Sequence, residues 1–142
     1  MAKTVFGNHS AIRAPRAERE RIRKFYCDVL GCKIRRELED KDDLELGDDF
    51  HIAFLYTAGG RDVDKGVRYA AKSPLSEEDF LKAIYLELKS DNVEEMRRRI
   101  TSFGVKALPV PDPHLYFQAP GGQVFRLVGI AEDLSLYEGD QD

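Results

Sequence analysis

The sequence predicts an α+β domain made of two tandem βαβββ modules. In each half an amphipathic helix ends on a glycine, and these glycines, Gly31 and Gly104, lie 73 positions apart. The strand segments HIAFLY and VFRLVG repeat the same spacing, since Ala53 and Arg126 also lie 73 positions apart. Self-similarity at a fixed spacing indicates an internal duplication. Each helix must end in a left-handed turn, which glycine adopts at low cost, so that the next strand can lie back against the helix.

The elements of the first half follow from the spacing of apolar residues and from turn residues. Pro15 can open a helix, because its missing N–H lies where helices have no partner for one. The helix then has one apolar stripe at positions i, i+3, i+4, i+7 and i+8, formed by Ile22, Phe25, Tyr26, Val29 and Leu30. The remaining segments are strands over 5–13, 32–36, 44–46 and 50–57, and turns over 40–43 and 47–49.

The second half repeats this order. Asn92 can cap a helix, with Glu95 as its capping-box partner, and the helix stripe consists of Val93, Met96, Ile100 and Phe103. We expect strands over 84–89, 105–108, 114–118 and 124–128, with a stiff loop over 109–113. The segment that begins at Ser76 is expected to be a short helix capped by Ser76, or a mobile flap. The predicted layout is one domain over 1–142, with module 1 over 5–57, an inter-module segment over 58–82, module 2 over 83–130 and a frayed tail over 131–142.

Composition excludes several classes of protein. The chain has 142 residues, a net charge of −4 and 42% apolar residues, which argues for a folded domain and against a nucleic-acid-binding module. The arginine-rich stretches at 16–24 and 97–99 are expected to be solvated helix surfaces. No apolar run reaches the roughly 18 residues of a membrane span, and from the first residues we expect no signal peptide. We therefore expect a cytoplasmic protein with free thiols at Cys27 and Cys32.

Four segments together carry a family resemblance. HSAIRAP and FYCDVLGCKI in the first half, and LKSDNVEEMRRRITSFGV and YFQAPGGQVFRLV in the second, resemble the vicinal oxygen chelate superfamily of glyoxalase I, bleomycin-resistance proteins and extradiol dioxygenases. The resemblance covers about residues 5–130. It implies paired βαβββ modules whose sheets curl into an open cup, a small molecule in that cup, often a divalent metal that two substrate oxygens chelate, and a homodimer.

The metal ligands of this family occupy four strand positions, usually His or Glu. The resemblance places them on His9, Ala53, Tyr85 and Arg126. Only the histidine fits, because alanine has no donor atom, tyrosine is a poor ligand unless deprotonated, and arginine has no lone pair and repels a cation. We therefore expect no cofactor and a metal-free cup, as in the bleomycin-resistance branch.

A shifted metal site is an open alternative. Because strand side chains alternate between faces, His51 shares a face with Ala53, and Glu87 shares a face with Tyr85. His9, His51 and Glu87 could then bind Zn, Fe, Mn or Ni if the strands slip together by two residues. In the other interpretation His51 caps a strand and Glu87 pairs with Arg126 across the cup.

The cup residues predict what kind of molecule binds. A buried Arg126 needs an anionic partner, which is either Glu87 or a carboxylate or phosphate of the ligand. Tyr85 and Tyr116 offer flat walls for an aromatic guest. Arg13 is a second candidate contact for an anion.

Three functions remain open from the sequence. The first is binding of a small anionic or aromatic molecule without chemistry. The second is a metal-dependent lyase, isomerase or dioxygenase that uses the shifted ligand set. The third is metal-free acid–base catalysis by His9 and Tyr85. His114 follows a proline at the rim of the cup, where a loop role is expected.

Overall fold

The computed structural model describes residues 2–57, 79 and 83–132. The expected short helix capped by Ser76, most of the inter-module segment and most of the tail lie outside these residues. The first half contains strands β1 (His9–Pro15), β2 (Lys33–Leu38), β3 (Lys41–Leu46) and β4 (Phe50–Thr57), and a helical segment made of a 3₁₀ turn (Arg16–Glu18), α1 (Arg19–Arg23) and a π-helical turn (Lys24–Val29). The second half contains β5 (Tyr85–Ser90), α2 (Val93–Phe103), β6 (Leu115–Gln118) and β7 (Val124–Gly129).

The first half forms the predicted βαβββ module. Its four strands make one sheet in the order β1-β4-β3-β2. Strand β1 runs parallel to β4, and the two following hairpins are antiparallel. The turn between β3 and β4 contains Gly47 at φ +78°, as the predicted turn over 47–49 requires. This topology confirms the α+β class for the first module.

The first helix ends where the glycine predicts. Gly31 has φ +85°, and the N–H of Cys32 donates to the carbonyl oxygen of Tyr26 at 2.8 Å, which closes the helix end in a left-handed turn. The first strand begins later than predicted: β1 starts at His9, whereas Val5 is 75% exposed and Phe6 fully exposed. The prediction over 5–13 was wrong at its start because β4 begins to pair with β1 only at His9.

The second module forms a three-stranded sheet in the order β5-β7-β6. Helix α2 begins at the predicted cap: Asn92 Oδ1 accepts from Glu95 N at 3.1 Å, and Gly104 ends the helix at φ +107°. The predicted strand over 105–108 is reduced to an isolated bridge between Ala107 and Phe117. Three prolines between 109 and 113 lack the N–H that a longer ladder needs, so the pairing stops there.

One hydrophobic core joins the two modules. The inward faces of both sheets pack around the two helices, and Phe25 meets Phe103 of α2 with ring centroids 5.2 Å apart. Because strand side chains alternate, the remaining residues point away from the helices. We call that outer side of each sheet its cup face. Among the described residues, no helix is long and apolar enough to cross a membrane.

A buried carboxylate corrects two sequence predictions in the first module. Asp42 is completely buried and accepts hydrogen bonds from Arg19, Arg23 and the hydroxyl of Tyr56, at distances of 2.6 to 3.2 Å. It lies in β3, so the predicted turn over 40–43 is limited to the residues just before the strand. The two arginines point inward to Asp42 and are not a purely solvated surface. The network ties the first helix to the β2–β3 hairpin.

Candidate functional site

Two histidines lie side by side on the cup face of the first sheet. His9 of β1 and His51 of β4 are direct partners in the parallel ladder. Their ring centroids are 4.7 Å apart, with the ring planes tilted by 46°. His9 is exposed, whereas His51 is half-buried. The structure therefore brings together two of the three residues in the shifted metal set that the sequence suggests.

The third member of this cluster comes from β3. Asp43 is buried, and its Oδ1 lies 2.8 Å from His51 Nδ1. One donor atom from each of His9, Asp43 and His51 lies within 4.8 Å of the others. We call these three residues the first-sheet cluster. It is a pair of imidazoles and a carboxylate on one face of one sheet.

Sequence reasoning missed Asp43 because the acidic stretch around it was interpreted as a turn. A usable signal was present in the hairpin. Leu46 pairs with Phe50 next to the turn. Three residues further from the turn on each strand, Asp43 therefore pairs with Ala53. Ala53 and His51 share a face because they are two residues apart in one strand. The carboxylate therefore lies diagonally beside the histidine.

A different cluster occupies the cup face of the second sheet. Arg126 of β7 forms an ion pair through one terminal nitrogen with Glu87, its ladder partner on β5. Its other terminal nitrogen lies 3.4 Å from Asp112 Oδ2 and 3.3 Å from the hydroxyl of Tyr116. The guanidinium carbon lies 5.4 Å from the ring centroid of Tyr85 and 6.0 Å from that of Tyr116. We call these five residues the second-sheet cluster.

The second-sheet cluster supplies its own carboxylates for Arg126. The Arg126 side chain is 11% exposed, and although burial lowers its pKa, hydrogen bonds to Glu87 and Tyr116 raise that pKa above its usual value. Two carboxylates, Glu87 and Asp112, neutralise it. Asp112 was missed by sequence reasoning because it lies in the proline-rich loop that folds back over the sheet. The partner of Arg126 is thus present within the chain, as the pairing interpretation of the sequence predicts.

The other candidate residues lie apart from these clusters. Arg13 is exposed on β1, and no hydrogen bond or ion pair joins it to another described residue. His114 has a side chain only 7% exposed, between Asp112 on Nδ1 and Glu132 on Nε2, the latter at 2.5 Å. Burial lowers the pKa of His114, but the hydrogen bonds to both carboxylates outweigh this effect and raise the pKa above its usual value. His114 therefore fastens the loop to the turn after β7.

The four metal positions that the resemblance implies do not form a ligand set in this chain. Ala53 is buried and offers no donor atom, and Arg126 carries a positive charge that is already paired. Glu87, the carboxylate of the shifted set, bonds Arg126 on the second sheet and does not belong to the group around His9 and His51. No hydrogen bond or ring contact among the described residues joins His9 to Tyr85.

The two cysteines do not form a reactive site. Cys27 and Cys32 are free thiols, as predicted. Burial raises the pKa of Cys32 to about 12, so it stays protonated at neutral pH, which does not favour a nucleophilic role.

A cavity of about 630 Å³ lies on the helix side between the two sheets. Its lining is mainly apolar and includes Leu46, Phe50, Leu86, Met96 and Ile130.

Comparison with known proteins gives a result only at the level of structure. No protein-family model matches the sequence, and no curated protein is significantly similar to it. A crystal structure of a glyoxalase/bleomycin resistance protein/dioxygenase from Nocardioides matches with a TM-score of 0.61 at 16% identity, over 91% of this chain and 85% of that chain. The chain has the glyoxalase/bleomycin resistance protein/dioxygenase fold. This confirms the fold that the resemblance to the vicinal oxygen chelate superfamily predicts.

Two further structures show the same glyoxalase-like fold. A member of this superfamily from Sphaerobacter thermophilus matches with a TM-score of 0.55 at 17% identity, over 89% of this chain and 98% of that one. An integron cassette protein from V. cholerae matches with a TM-score of 0.58 at 17% identity, over 92% and 99% of the two chains. Similarity at this level establishes the fold, whereas one fold supports many activities. Function must therefore be argued from the two clusters.

Proposed function

We propose that this glyoxalase-like protein binds a small molecule with a planar aromatic group on the cup face of its second sheet. The observation that carries the proposal is the stack of Arg126 with Tyr85 and Tyr116. The two tyrosine rings meet edge to face, with centroids 5.5 Å apart. Tyr85 is 43% exposed, so a guest ring can pack against it from the solvent side. Aromatic rings prefer such offset and edge-to-face contacts.

The charges of the cluster favour an uncharged guest over an anionic one. A guanidinium attracts an anion strongly only when nearby carboxylates do not already neutralise its positive charge. Here Glu87 and Asp112 already neutralise Arg126. A ligand carboxylate would meet two acidic side chains for one base. Of the two ligand classes that the sequence suggests, aromatic and anionic, the geometry supports the aromatic class.

The proposal can be tested with 2-naphthol and its anionic counterpart 2-naphthoate. We expect 2-naphthol to bind more tightly, as measured by NMR titration of the protein. Tyr85→Ala is expected to weaken 2-naphthol binding by about 2- to 12-fold, because one aromatic contact contributes roughly 0.5–1.5 kcal/mol. Tyr85→Phe should retain the binding, because it keeps the ring.

Phe50→Ala is the matched control, since Phe50 is 39% exposed but lines the cavity on the helix side. If Phe50→Ala abolished binding while Tyr85→Ala left it unchanged, the ligand would occupy the cavity between the sheets and the proposal would be wrong. Equal binding of 2-naphthol and 2-naphthoate would contradict the argument from charge. No binding of either probe would leave the cup face without support as an aromatic site.

The alternative function, a metal-dependent lyase, isomerase or dioxygenase, depends on a ligand set that the chain does not assemble around Glu87. That carboxylate faces Arg126, and removing it would leave the guanidinium with Asp112 alone. The alternative therefore needs another third ligand beside His9 and His51. Asp43 in the first sheet is a candidate for that third ligand.

A further inference from the structure

We propose that His9, Asp43 and His51 form a binding site for one late first-row divalent cation, such as Zn²⁺, Co²⁺ or Ni²⁺. The site lies entirely within the first module, whereas the metal positions implied by the resemblance span both modules. It is independent of the aromatic site on the second sheet. Its ligands are two imidazoles and a carboxylate, which is a donor set typical of these ions.

The geometry of the first-sheet cluster is close to what such an ion requires. Donor atoms that lie about 2.0–2.2 Å from a metal are separated from each other by roughly 3.0–3.5 Å. His51 Nδ1 and Asp43 Oδ1 are 2.8 Å apart, and the donor atoms of all three residues lie within 4.8 Å of one another. All three residues extend from neighbouring strands of one sheet. Three protein ligands leave further positions open for water or another ligand.

Rigid strands position the three ligands. His9 and His51 are held opposite each other by the β1–β4 ladder, and Asp43 is held by the β3–β4 ladder next to them. Sites built on strands keep their geometry better than sites on loops. His9 is exposed, which gives an ion a route from solvent, while Asp43 and His51 are largely covered.

Charged residues of both signs surround the first-sheet cluster. Glu45 lies opposite His51 in the β3–β4 ladder and therefore shares its face. The nearest arginine on the same strand and face as His9 is Arg13, four residues away, or about 13 Å along the strand. The guanidinium of the second-sheet cluster has its own carboxylates. Arg36 lies opposite Asp43 and Lys33 lies opposite Glu45 in the β2–β3 ladder. Each of these acids therefore has a basic neighbour, and the case for a cation depends on the donor atoms of the three ligands and not on an excess of negative charge.

Metal binding can be measured on the full-length chain, purified without a histidine tag and treated with EDTA. The probe is Co²⁺, followed by its visible d–d absorption and by equilibrium dialysis, with Zn²⁺ as competitor. We expect one Co²⁺ per chain, displaced by one Zn²⁺. His9→Ala and Asp43→Asn are each expected to weaken binding by at least about 10-fold, the lower range seen when groups around a metal are lost.

Two variants serve as matched controls. His114→Gln removes the one other histidine of the sequence, and Glu87→Gln removes the carboxylate of the second-sheet cluster, so both should keep the Co²⁺ spectrum. His9→Ala changes an exposed side chain, so it tests the site without a risk to the core. Absence of stoichiometric Co²⁺ binding, or unchanged binding in both His9→Ala and Asp43→Asn, would overturn the proposal. In that case the bond between His51 and Asp43 would be a structural hydrogen bond only.

Discussion

At the scale of single residues, Asp42 and Asp43 show how adjacent acids can have different roles. Strand alternation turns Asp42 toward the helices and Asp43 toward the cup face. Asp42 is completely buried among Arg19, Arg23 and Tyr56, whereas Asp43 joins two histidines. Local sequence alone predicts a turn for such an acidic stretch, because Asp is common in turns. Only the partners across the sheet give each carboxylate its role.

The buried Asp42 network predicts an acid-sensitive contribution to stability. Burial raises the pKa of Asp42, but hydrogen bonds from Arg23, Arg19 and Tyr56 outweigh it and lower the pKa from the usual 3.8 to about 2. The stabilisation is therefore fully present above about pH 4 and is lost as the pH falls through about 2. Asp42→Asn is expected to lower the free energy of unfolding at pH 7 by about 3 kcal/mol, because it leaves two arginines facing a neutral group.

Urea unfolding of wild type and Asp42→Asn at several pH values checks this. The difference between the two proteins should shrink as the pH approaches 2. Asp40→Asn, at an exposed position two residues earlier, is the control and should change stability by less than about 0.5 kcal/mol. A difference that stays constant down to pH 2 would show that the charge of Asp42 is not what stabilises the fold.

At the scale of elements, the helix ends, the helix cap and the strands that recur in both halves are the features that the sequence predicts well. Glycine-terminated helices, the Asn92 cap and the strand over 50–57 depend on local residue types, and the structure confirms them. The second strand of the second module, predicted over 105–108, forms only the bridge between Ala107 and Phe117, because strand pairing depends on partners distant in sequence. The two clusters could be predicted only in part, because some of their residues come from strands or loops distant in sequence. Residue type and alternation indicated His9, His51 and the pair of Glu87 with Arg126, but not the carboxylates that join them from another strand or loop.

The pairing of β5 with β7 leads to a prediction about ligand charge. Glu87 and Arg126 are direct ladder partners, so Glu87 occupies the space that a ligand anion would need. Glu87→Gln should therefore increase the affinity for 2-naphthoate relative to 2-naphthol, reversing the preference of the wild type. NMR titrations with both compounds measure the change.

Asp112→Asn provides the comparison for this variant, because it removes the more distant of the two acids around Arg126, at 3.4 Å. We expect a smaller gain in naphthoate affinity from Asp112→Asn than from Glu87→Gln. If Glu87→Gln left the preference for 2-naphthol unchanged, then the charge of Arg126 would play no part in ligand selection.

At the scale of the whole molecule, the two sheets share one core but present separate cup faces. The four-stranded and three-stranded sheets are not joined by a ladder in the described residues. The resemblance of the sequence to the vicinal oxygen chelate superfamily implies a homodimer. Several apolar side chains are exposed on the described surface, among them Leu46, Phe50, Ile84 and Ile130. We therefore expect a homodimer in solution.

Light scattering on the native protein tests the oligomeric state. The expected mass is twice the 16.2 kDa of the single chain. Replacing the exposed Phe50 by a charged residue should favour the single chain if that surface lies in the contact. A native mass of 16.2 kDa at all concentrations would refute the dimer.

The ancestral repeat has a last consequence for how the two halves can diverge. Ala53 and Arg126 stand at equivalent points of the repeat, and their ladder partners are Ala11 and Glu87. The first module thus has two alanine methyl groups at the position where the second module has an ion pair. Because the groups belong to different sheets, selection can alter one without damaging the other.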